Sequence, residues 1–246
     1  MRFELQLLGT SGAVPAYNRF PTIQLLNIQE NLYMIDCGEG AQMRVVAYGL
    51  RWHKIQQLFI SHLHGDHIYG IPGLISSMGL NRRKAPLTIY GPAGLQAMVH
   101  AMMPYLSKLS FELNFEEVDP AVHRLVYEDR VVQVFSLPLD HSIPACGYLF
   151  REQERPRSMI GSRIEEYGIP YADIPAIKAG ADFTTEDGQV IPNARLTEAP
   201  PRPRSYAYCS DTAYYEPLIS RVEKADLLYH EATFTRYHRA QAEETR

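Results

Sequence analysis

The chain has 246 residues, of which 46% are hydrophobic, 11% aromatic and 21% charged. These proportions are typical of a folded globular protein and exclude a disordered or fibrous one. The formal net charge of −4 means that the molecule as a whole repels phosphate groups. A nucleic-acid partner would therefore need a local basic surface or bound metal ions.

The length predicts a single domain over residues 1–246. The amino terminus lacks a signal-peptide pattern, and no run of about 18 apolar residues occurs, so we expect a cytoplasmic protein without a membrane partner. The cysteines at positions 37, 146 and 209 are far apart and form no CxxC pair, so we expect buried free thiols.

Short apolar runs rich in branched and aromatic residues predict β-strands. In chain order they are FELQLLG, TIQLLNI, NLYMID, IQQLFIS, LTIYG, FELNFEEV, RVVQVFSLPL, ACGYLF and SYAYCS. Helical patterns lie between them at 40–50, 71–80, 93–109 and 217–225. Early strands follow one another closely and later ones are separated by helices, so we expect an α/β protein with an αββα layering.

Residues 151–205 differ from the rest of the chain because they combine many prolines, alternating charges and few core-like runs. We expect this segment to be an insertion that leaves the two-sheet sandwich. Long irregular connections are usually either functional or disordered. A mobile surface insertion and a substrate-gripping arm therefore both remain open.

The stretch FISHLHGDHIYG holds four potential metal ligands within six positions: His62, His64, Asp66 and His67. It follows the predicted strand IQQLFIS directly, at the sheet edge where α/β proteins build sites. An extended backbone would point His62 and His64 the same way, and Gly65 would then let the chain turn. Imidazole and carboxylate groups suit Zn²⁺, with Mn²⁺ as the alternative.

Two further ligand candidates, His141 and Asp211, also follow predicted strands. Asp211 could bridge two metals because a carboxylate has two oxygens. His230 and Glu231 end the apolar run DLLYH, where they could orient ligands or transfer protons. The alternative for this pair is a strand end with hydrogen-bonded polar residues.

Hydrolysis is the reaction that such a centre favours. Two metals about 3.5–4 Å apart can generate a nucleophile from water near neutral pH and stabilise charge on a cleaved ester. An oxygen of Asp66 that binds no metal would be placed to accept a proton from the attacking water.

The HxHxDH pattern after a strand resembles the signature of the metallo-β-lactamase superfamily, whose members share an αββα sandwich. That pattern alone leaves lactams, thioesters, phosphodiesters and sulfate esters open as substrates. A longer series of segments resembles the ribonuclease Z family of transfer-RNA 3′-processing endonucleases along nearly the whole chain. In order, these segments are LGTSGAVP, IDCGEGAQ, FISHLHGDHIYGIPGLISSMGLN, LTIYGPAGL, LDHSIPACGY, YCSDTAYYEP and LYHEATF.

The resemblance implies two Zn²⁺ ions per subunit and assigns ligands to each. The first ion would be held by His62, His64, His141 and Asp211, and the second by Asp66, His67 and Asp211. Asp66 would also be the proton acceptor. The family's HEAT motif falls on 230–233, which gives His230 and Glu231 supporting catalytic roles.

The resemblance also implies precursor transfer RNA as the substrate and a homodimer in which the arm at 151–205 grips the RNA from the other subunit. Basic residues in the arm and after the GLISSMGLN segment are candidates for phosphate contacts, with a solvated surface as the alternative for each. These residues are Arg155, Arg157, Arg82, Arg83 and Lys84. The loop PAYNRFP at 15–21 matches the family's 3′-end-sensing segment only approximately.

Two other functions remain open. One is a smaller phosphodiesterase or aryl-ester hydrolase on the same scaffold, and the other is a catalytically impaired RNA-binding form. The sequence stops at Arg246, before the family's Gly-His-Ser-Thr segment and its late histidine ligand. We therefore expect this polypeptide alone to bind the second metal weakly and to cleave slowly or not at all.

Overall fold

The computed structural model describes residues 2–13, 17–105 and 108–244. Residues 15 and 16 of the 3′-end-sensing loop, and 106 and 107 of the helix expected at 93–109, lie outside this described part. The chain divides into two compact units: unit 1 is Met1–Glu152 with Arg204–Arg246, and unit 2 is Gln153–Pro203. No helix in the described part is long and apolar enough to cross a membrane.

The first half of unit 1 forms a six-stranded sheet whose strands lie in sequence order. Its strands are β1 (Phe3–Gly9), β2 (Ile23–Ile28), β3 (Asn31–Ile35), β4 (Ile55–Phe59), β5 (Leu87–Gly91) and β6 (Leu113–Glu117). β1 to β3 are antiparallel, and β3 to β6 are parallel. Parallel neighbours need crossover connections, which here contain α1 (Ala41–Ala47), a 3₁₀ turn (Trp52–Lys54), α2 (Gly65–Ile68), α3 (Ile71–Leu80) and α4 (Leu95–Met102).

The second sheet of unit 1 has five strands, interrupted in sequence by unit 2. It begins with β7 (Leu125–Glu128), β8 (Val132–Pro138) and β9 (Cys146–Glu152). Unit 2 then supplies β10 (Ser158–Met159), α5 (Gly161–Glu166), α6 (Ile174–Lys178), β11 (Phe183–Thr184), β12 (Val190–Ile191), α7 (Asn193–Leu196) and β13 (Thr197–Glu198). The sheet is completed by β14 (Ser205–Cys209) and β15 (Leu227–His230), with α8 (Glu216–Val222) between them and a 3₁₀ turn (Arg236–His238) and α9 (Arg239–Glu244) after them.

The two sheets and their helices form four layers. Successive side chains along each strand point to opposite faces, so each sheet packs against the other sheet on one face and against helices on the other. On β3, Tyr33 faces the second sheet, whereas Met34 faces the core formed with α1, α3 and α4. On β9, Tyr148 belongs to the core between the sheets, whereas Leu149 packs with α8 on the outer side. Unit 1 therefore has the αββα layering that the sequence predicts.

The helix expected at 93–109 is shorter in the structure, Leu95–Met102. Gly94 has a φ of +91°, which is a left-handed conformation outside the helical region. The helix therefore cannot extend from Leu95 toward the amino terminus. Pro104 follows closely and disfavours helical backbone at Met103. The three cysteines are buried and free, as predicted.

Unit 2 has a small apolar core of its own, which the sequence did not indicate. Its buried residues are Ile169, Ile177, Phe183, Ile191 and Leu196. They are spread singly between prolines and charges rather than grouped in runs, so neither strand nor helix periodicity reveals them. The segment forms two short antiparallel ribbons, β10 with β13 and β11 with β12, rather than an irregular loop.

Arg83 does not fit its predicted role as a phosphate contact. It is only 7% exposed, and its guanidinium donates hydrogen bonds to five backbone carbonyls. The acceptors are the carbonyl oxygens of Trp52, His53, Ile55, Ala85 and Pro86. Its neighbours Arg82 and Lys84 are exposed, so only these two remain available to a ligand.

Replacing Arg83 with alanine should lower the free energy of unfolding by about 3 kcal/mol or more, because buried carbonyls would lose a charged donor. Urea unfolding measures the change. Lys84→Ala is the control and should stay within about 0.5 kcal/mol of wild type, since its side chain is exposed. An equal effect of the two substitutions would contradict the structural role of Arg83.

Candidate metal centre

The HxHxDH segment follows β4, which ends at Phe59, and its second half belongs to α2, which begins at Gly65. His62 is completely buried, and His67, on α2, is 1% exposed. Asp66 and His67 thus lie on a single helical turn. Gly65 starts this turn, and a Cβ there would lie 2.1 Å from the exposed ring of Tyr69, so a larger residue would have to displace that ring.

Three histidines form the first group of candidate ligands: His62, His64 and His141. One ligand atom from each lies within 4.8 Å of the others, and Nε2 of His141 lies 3.2 Å from Nδ1 of His64. The Nε2 atom of His62 is buried and has no hydrogen-bond partner. Since buried polar atoms are normally paired, this orphaned nitrogen fits a metal ligand.

The second group consists of His62, His67 and Asp211. Oδ1 of Asp211 lies 3.6 Å from Nε2 of His67, and Oδ2 lies 3.9 Å from Nε2 of His62. The carboxylate thus presents its two oxygens to different histidines, as a bridging ligand does. Asp66 lies beside this group, with Oδ2 at 3.5 Å from Nε2 of His67.

Burial and charge set opposite protonation preferences on the two central histidines. Burial, reinforced by His67, lowers the pKa of His62 to about 3, which keeps its imidazole neutral. Burial alone would also lower the pKa of His67. The carboxylates of Asp36, Asp211 and Asp66 outweigh it and hold that pKa well above its ordinary value. These three carboxylates therefore favour the protonated form of the His67 imidazole.

Asp36 fixes the orientation of His67, a role that the sequence did not indicate. Its fully buried carboxylate accepts hydrogen bonds from Nδ1 of His67 at 2.8 Å, Oγ of Ser61 at 2.9 Å and the hydroxyl of Tyr208 at 2.5 Å. Because Nδ1 is engaged, Nε2 of His67 is directed at Asp211. The position of Asp36 could have indicated a role at the site, because it directly follows β3. Asp211 is placed similarly, two residues after the end of β14.

The two residues of the HEAT motif are placed differently. Glu231 accepts hydrogen bonds from the Thr212 backbone N–H at 2.9 Å and from the Thr233 hydroxyl at 2.7 Å. It lines a cavity of about 640 Å³ together with His64, His141 and Asp211. His230 is exposed, its Nδ1 bonds to the carbonyl oxygen of Glu231, and it belongs to neither ligand group. The structure brings Glu231 to the site and leaves His230 outside it.

Curated relatives match the chain over nearly its whole length. The ribonuclease Z of Parabacteroides distasonis is 43% identical over 244 residues, which cover 99% of this chain and 80% of the relative. That of Bacteroides thetaiotaomicron is 44% identical over 245 residues, covering 99% of this chain and 78% of the relative. The chain belongs to the ribonuclease Z family.

Solved structures give the fold of this family member. Human tRNase Z, short form, superimposes with a TM-score of 0.69 at 23% identity, covering 98% of this chain and 82% of the human one. The metallo-beta-lactamase fold protein YhfI from Bacillus subtilis gives 0.59 at 19% identity, covering 94% and 70%. The chain has the metallo-β-lactamase fold, which together with the histidine-rich groups supports a divalent metal at this site.

A family model described as anti-Pycsar protein Apyc1 also matches residues 3–113. This region holds β1 to β5 of the first sheet and the HxHxDH segment but lacks His141 and Asp211. It therefore covers only part of each candidate ligand group.

Replacing Asp36 with asparagine should weaken Zn²⁺ binding roughly 10- to 100-fold, because His67 would lose the partner that orients it. Calorimetric titration of the metal-free protein measures the affinity. Asp129→Asn is the matched control, since Asp129 also accepts hydrogen bonds from two tyrosines, Tyr33 and Tyr127, but lies in neither ligand group. Equal zinc affinities for wild type and the Asp36 variant would rule out the orienting role.

Proposed function

We propose that this protein is a metal-dependent endoribonuclease that removes the 3′ trailer from precursor transfer RNA. The supporting observation is a pair of ligand groups that share His62 and are both approached by Asp211, in a member of the ribonuclease Z family. Hydrolysis of a phosphodiester is the chemistry that such a paired centre serves. The family relatives carry the name ribonuclease Z, which directs the proposal to RNA.

We infer that the resident metal is Zn²⁺, with Mn²⁺ as the alternative, and that the complete site of this family holds two ions per subunit. The donor set of imidazoles and carboxylates, without thiolates, suits both ions. When bound, such ions stabilise negative charge on the scissile phosphate and lower the pKa of water. His62, His64 and His141 with Asp211 would hold one ion, and His67 with Asp66 and Asp211 the other.

Asp66 is our candidate for the proton acceptor. Burial raises the pKa of its carboxyl group, but the hydrogen bond and charge of His67 outweigh burial and lower it below its ordinary value. The carboxylate is therefore ionised at neutral pH, which is the form that a proton acceptor must have. Glu231 supports the site by holding the backbone of Thr212, next to Asp211.

We also propose that unit 2 is the arm that grips transfer RNA, in a homodimer located in the cytoplasm. Its small core supports this role, because a folded arm can present basic side chains in fixed positions. Arg157 is one such side chain, since its Nε donates to the hydroxyl of Thr197 at 2.6 Å. Arg155 lies two residues away, and both are only partly exposed.

His64→Ala should reduce cleavage of a precursor transfer RNA by more than about 100-fold, because it removes a candidate metal ligand itself. Losing a residue that only orients a ligand typically costs about 10- to 100-fold. RNA binding should persist, since the phosphate-contacting surfaces are untouched. Gel analysis of trailer release with Zn²⁺ or Mn²⁺ measures the rate, and filter binding measures the affinity.

The matched control is His53→Ala, because His53 is exposed in the 3₁₀ turn before β4. It should cleave at the wild-type rate. If wild type hydrolyses bis-p-nitrophenyl phosphate but not the RNA, the smaller phosphodiesterase is the correct function. Tight RNA binding without cleavage of either substrate would instead identify an impaired RNA-binding form.

Replacing Arg155 and Arg157 together with alanine should weaken transfer-RNA binding and flatten its dependence on salt, by roughly one unit of log–log slope per lost phosphate contact. Affinities at several salt concentrations give that slope. Arg163→Ala is the control, because Arg163 is already paired with Glu166 on the surface of unit 2. Unchanged affinity and slope in the double variant would remove unit 2 from the RNA-binding surface.

A further inference from the structure

Tyr214 is an exposed aromatic residue at the mouth of the metal centre. It lines the same cavity of about 640 Å³ as His64, His141 and Asp211. Its side chain is 79% exposed, and it makes no hydrogen bond or ring contact with any residue that the structure describes. The next residue, Tyr215, packs instead against the apolar core beneath α8. Core packing therefore explains Tyr215 and leaves Tyr214 without a structural role.

The backbone that carries Tyr214 is tied down on both sides. The Ala213 N–H donates to the carbonyl oxygen of Asp140 at 2.7 Å, and the Asp140 N–H donates to the hydroxyl of Thr212 at 3.0 Å. On the other side, α8 begins at Glu216. The free ring is thus held on a fixed segment, with only two side-chain torsions to restrict when a ligand binds. A tyrosine so placed gives a large contact area at a low entropic cost.

We propose that Tyr214 is a stacking platform for a nucleobase that flanks the scissile phosphate. The proposal rests on the proposed function, because it takes RNA as the substrate. Unpaired bases are recognised by stacking on aromatic side chains, and such stacking tolerates any base.

The chemistry around the ring favours a base over a phosphate. The neighbouring cavity wall includes the apolar side chains of Ala213, Ala232 and Phe234, and the phenol itself is uncharged. A phosphate would lie instead at the histidine groups on the other part of the same wall, where metal ions held by these residues would offset its charge. A nucleotide held at the metal centre would therefore have its phosphate at the histidines and a flat base within reach of Tyr214.

The test uses precursor transfer RNA carrying the fluorescent base 2-aminopurine on either side of the cleavage site. Stacking quenches this fluorophore, so quenching on mixing, before cleavage, reports contact with the ring directly. With wild type, we expect quenching at one of the two positions. Tyr214→Ala should abolish it and raise the dissociation constant roughly 5- to 150-fold. Tyr214→Phe should retain both properties, because the ring and not the hydroxyl is required.

Tyr105→Ala is the matched control, because Tyr105 is 95% exposed and does not line the cavity. It should behave as wild type. Zinc content by elemental analysis should be equal in all variants, which separates stacking from damage to the metal centre. An absence of quenching by wild type, or equal quenching by wild type and Tyr214→Ala, would overturn the proposal. Trailer release is measured separately from fluorescence. A failure of the proposed function would therefore appear as uncleaved RNA, independently of the quenching result.

Discussion

The buried carboxylate of Asp36 is the interaction on which the site depends. It directly follows β3 of the first sheet, and it receives hydrogen bonds from Ser61, from His67 of the HxHxDH segment and from Tyr208 on β14 of the second sheet. A fully buried charge is costly unless every acceptor position is satisfied. Here the four hydrogen bonds satisfy it, and they join both sheets to the ligand segment. The backbone of Asp36 also adopts a φ of +53°, which aspartate tolerates better than most residues.

The layered core explains why the ligands meet. Strand alternation places large aromatic rings between the sheets, and Phe59 on β4 stacks on Tyr90 of β5 with ring centroids 4.8 Å apart. The strands β4, β8 and β14 are followed by His62, His141 and Asp211, which the fold brings together. Ligands that lie far apart in sequence are therefore brought together by strand ends rather than by a local motif.

Much of this could be predicted from the sequence. Runs of branched and aromatic residues predict the main strands of both sheets. Polar residues that follow these runs indicate His141 and Asp211 as well as the HxHxDH segment. The ion pairing of His67 with Asp36 could not be predicted, because a single aspartate after a strand looks the same whether it binds a metal, orients a ligand or caps a turn. Arg83 was misjudged for a similar reason: beside Arg82 and Lys84 it belongs to a basic triplet, and only the fold shows that its guanidinium points inward. The sequence could not single out Tyr214 from Tyr215. Only the structure shows that Tyr214 is exposed at the cavity whereas Tyr215 packs against the apolar core.

The most direct test of the account is a crystal structure of the protein soaked in excess Zn²⁺, with anomalous scattering recorded at the zinc edge. We predict one anomalous peak among His62, His64 and His141, a second beside His67 and Asp66, and the carboxylate of Asp211 between them. Zinc peaks elsewhere on the molecule, with none at either ligand group, would contradict it.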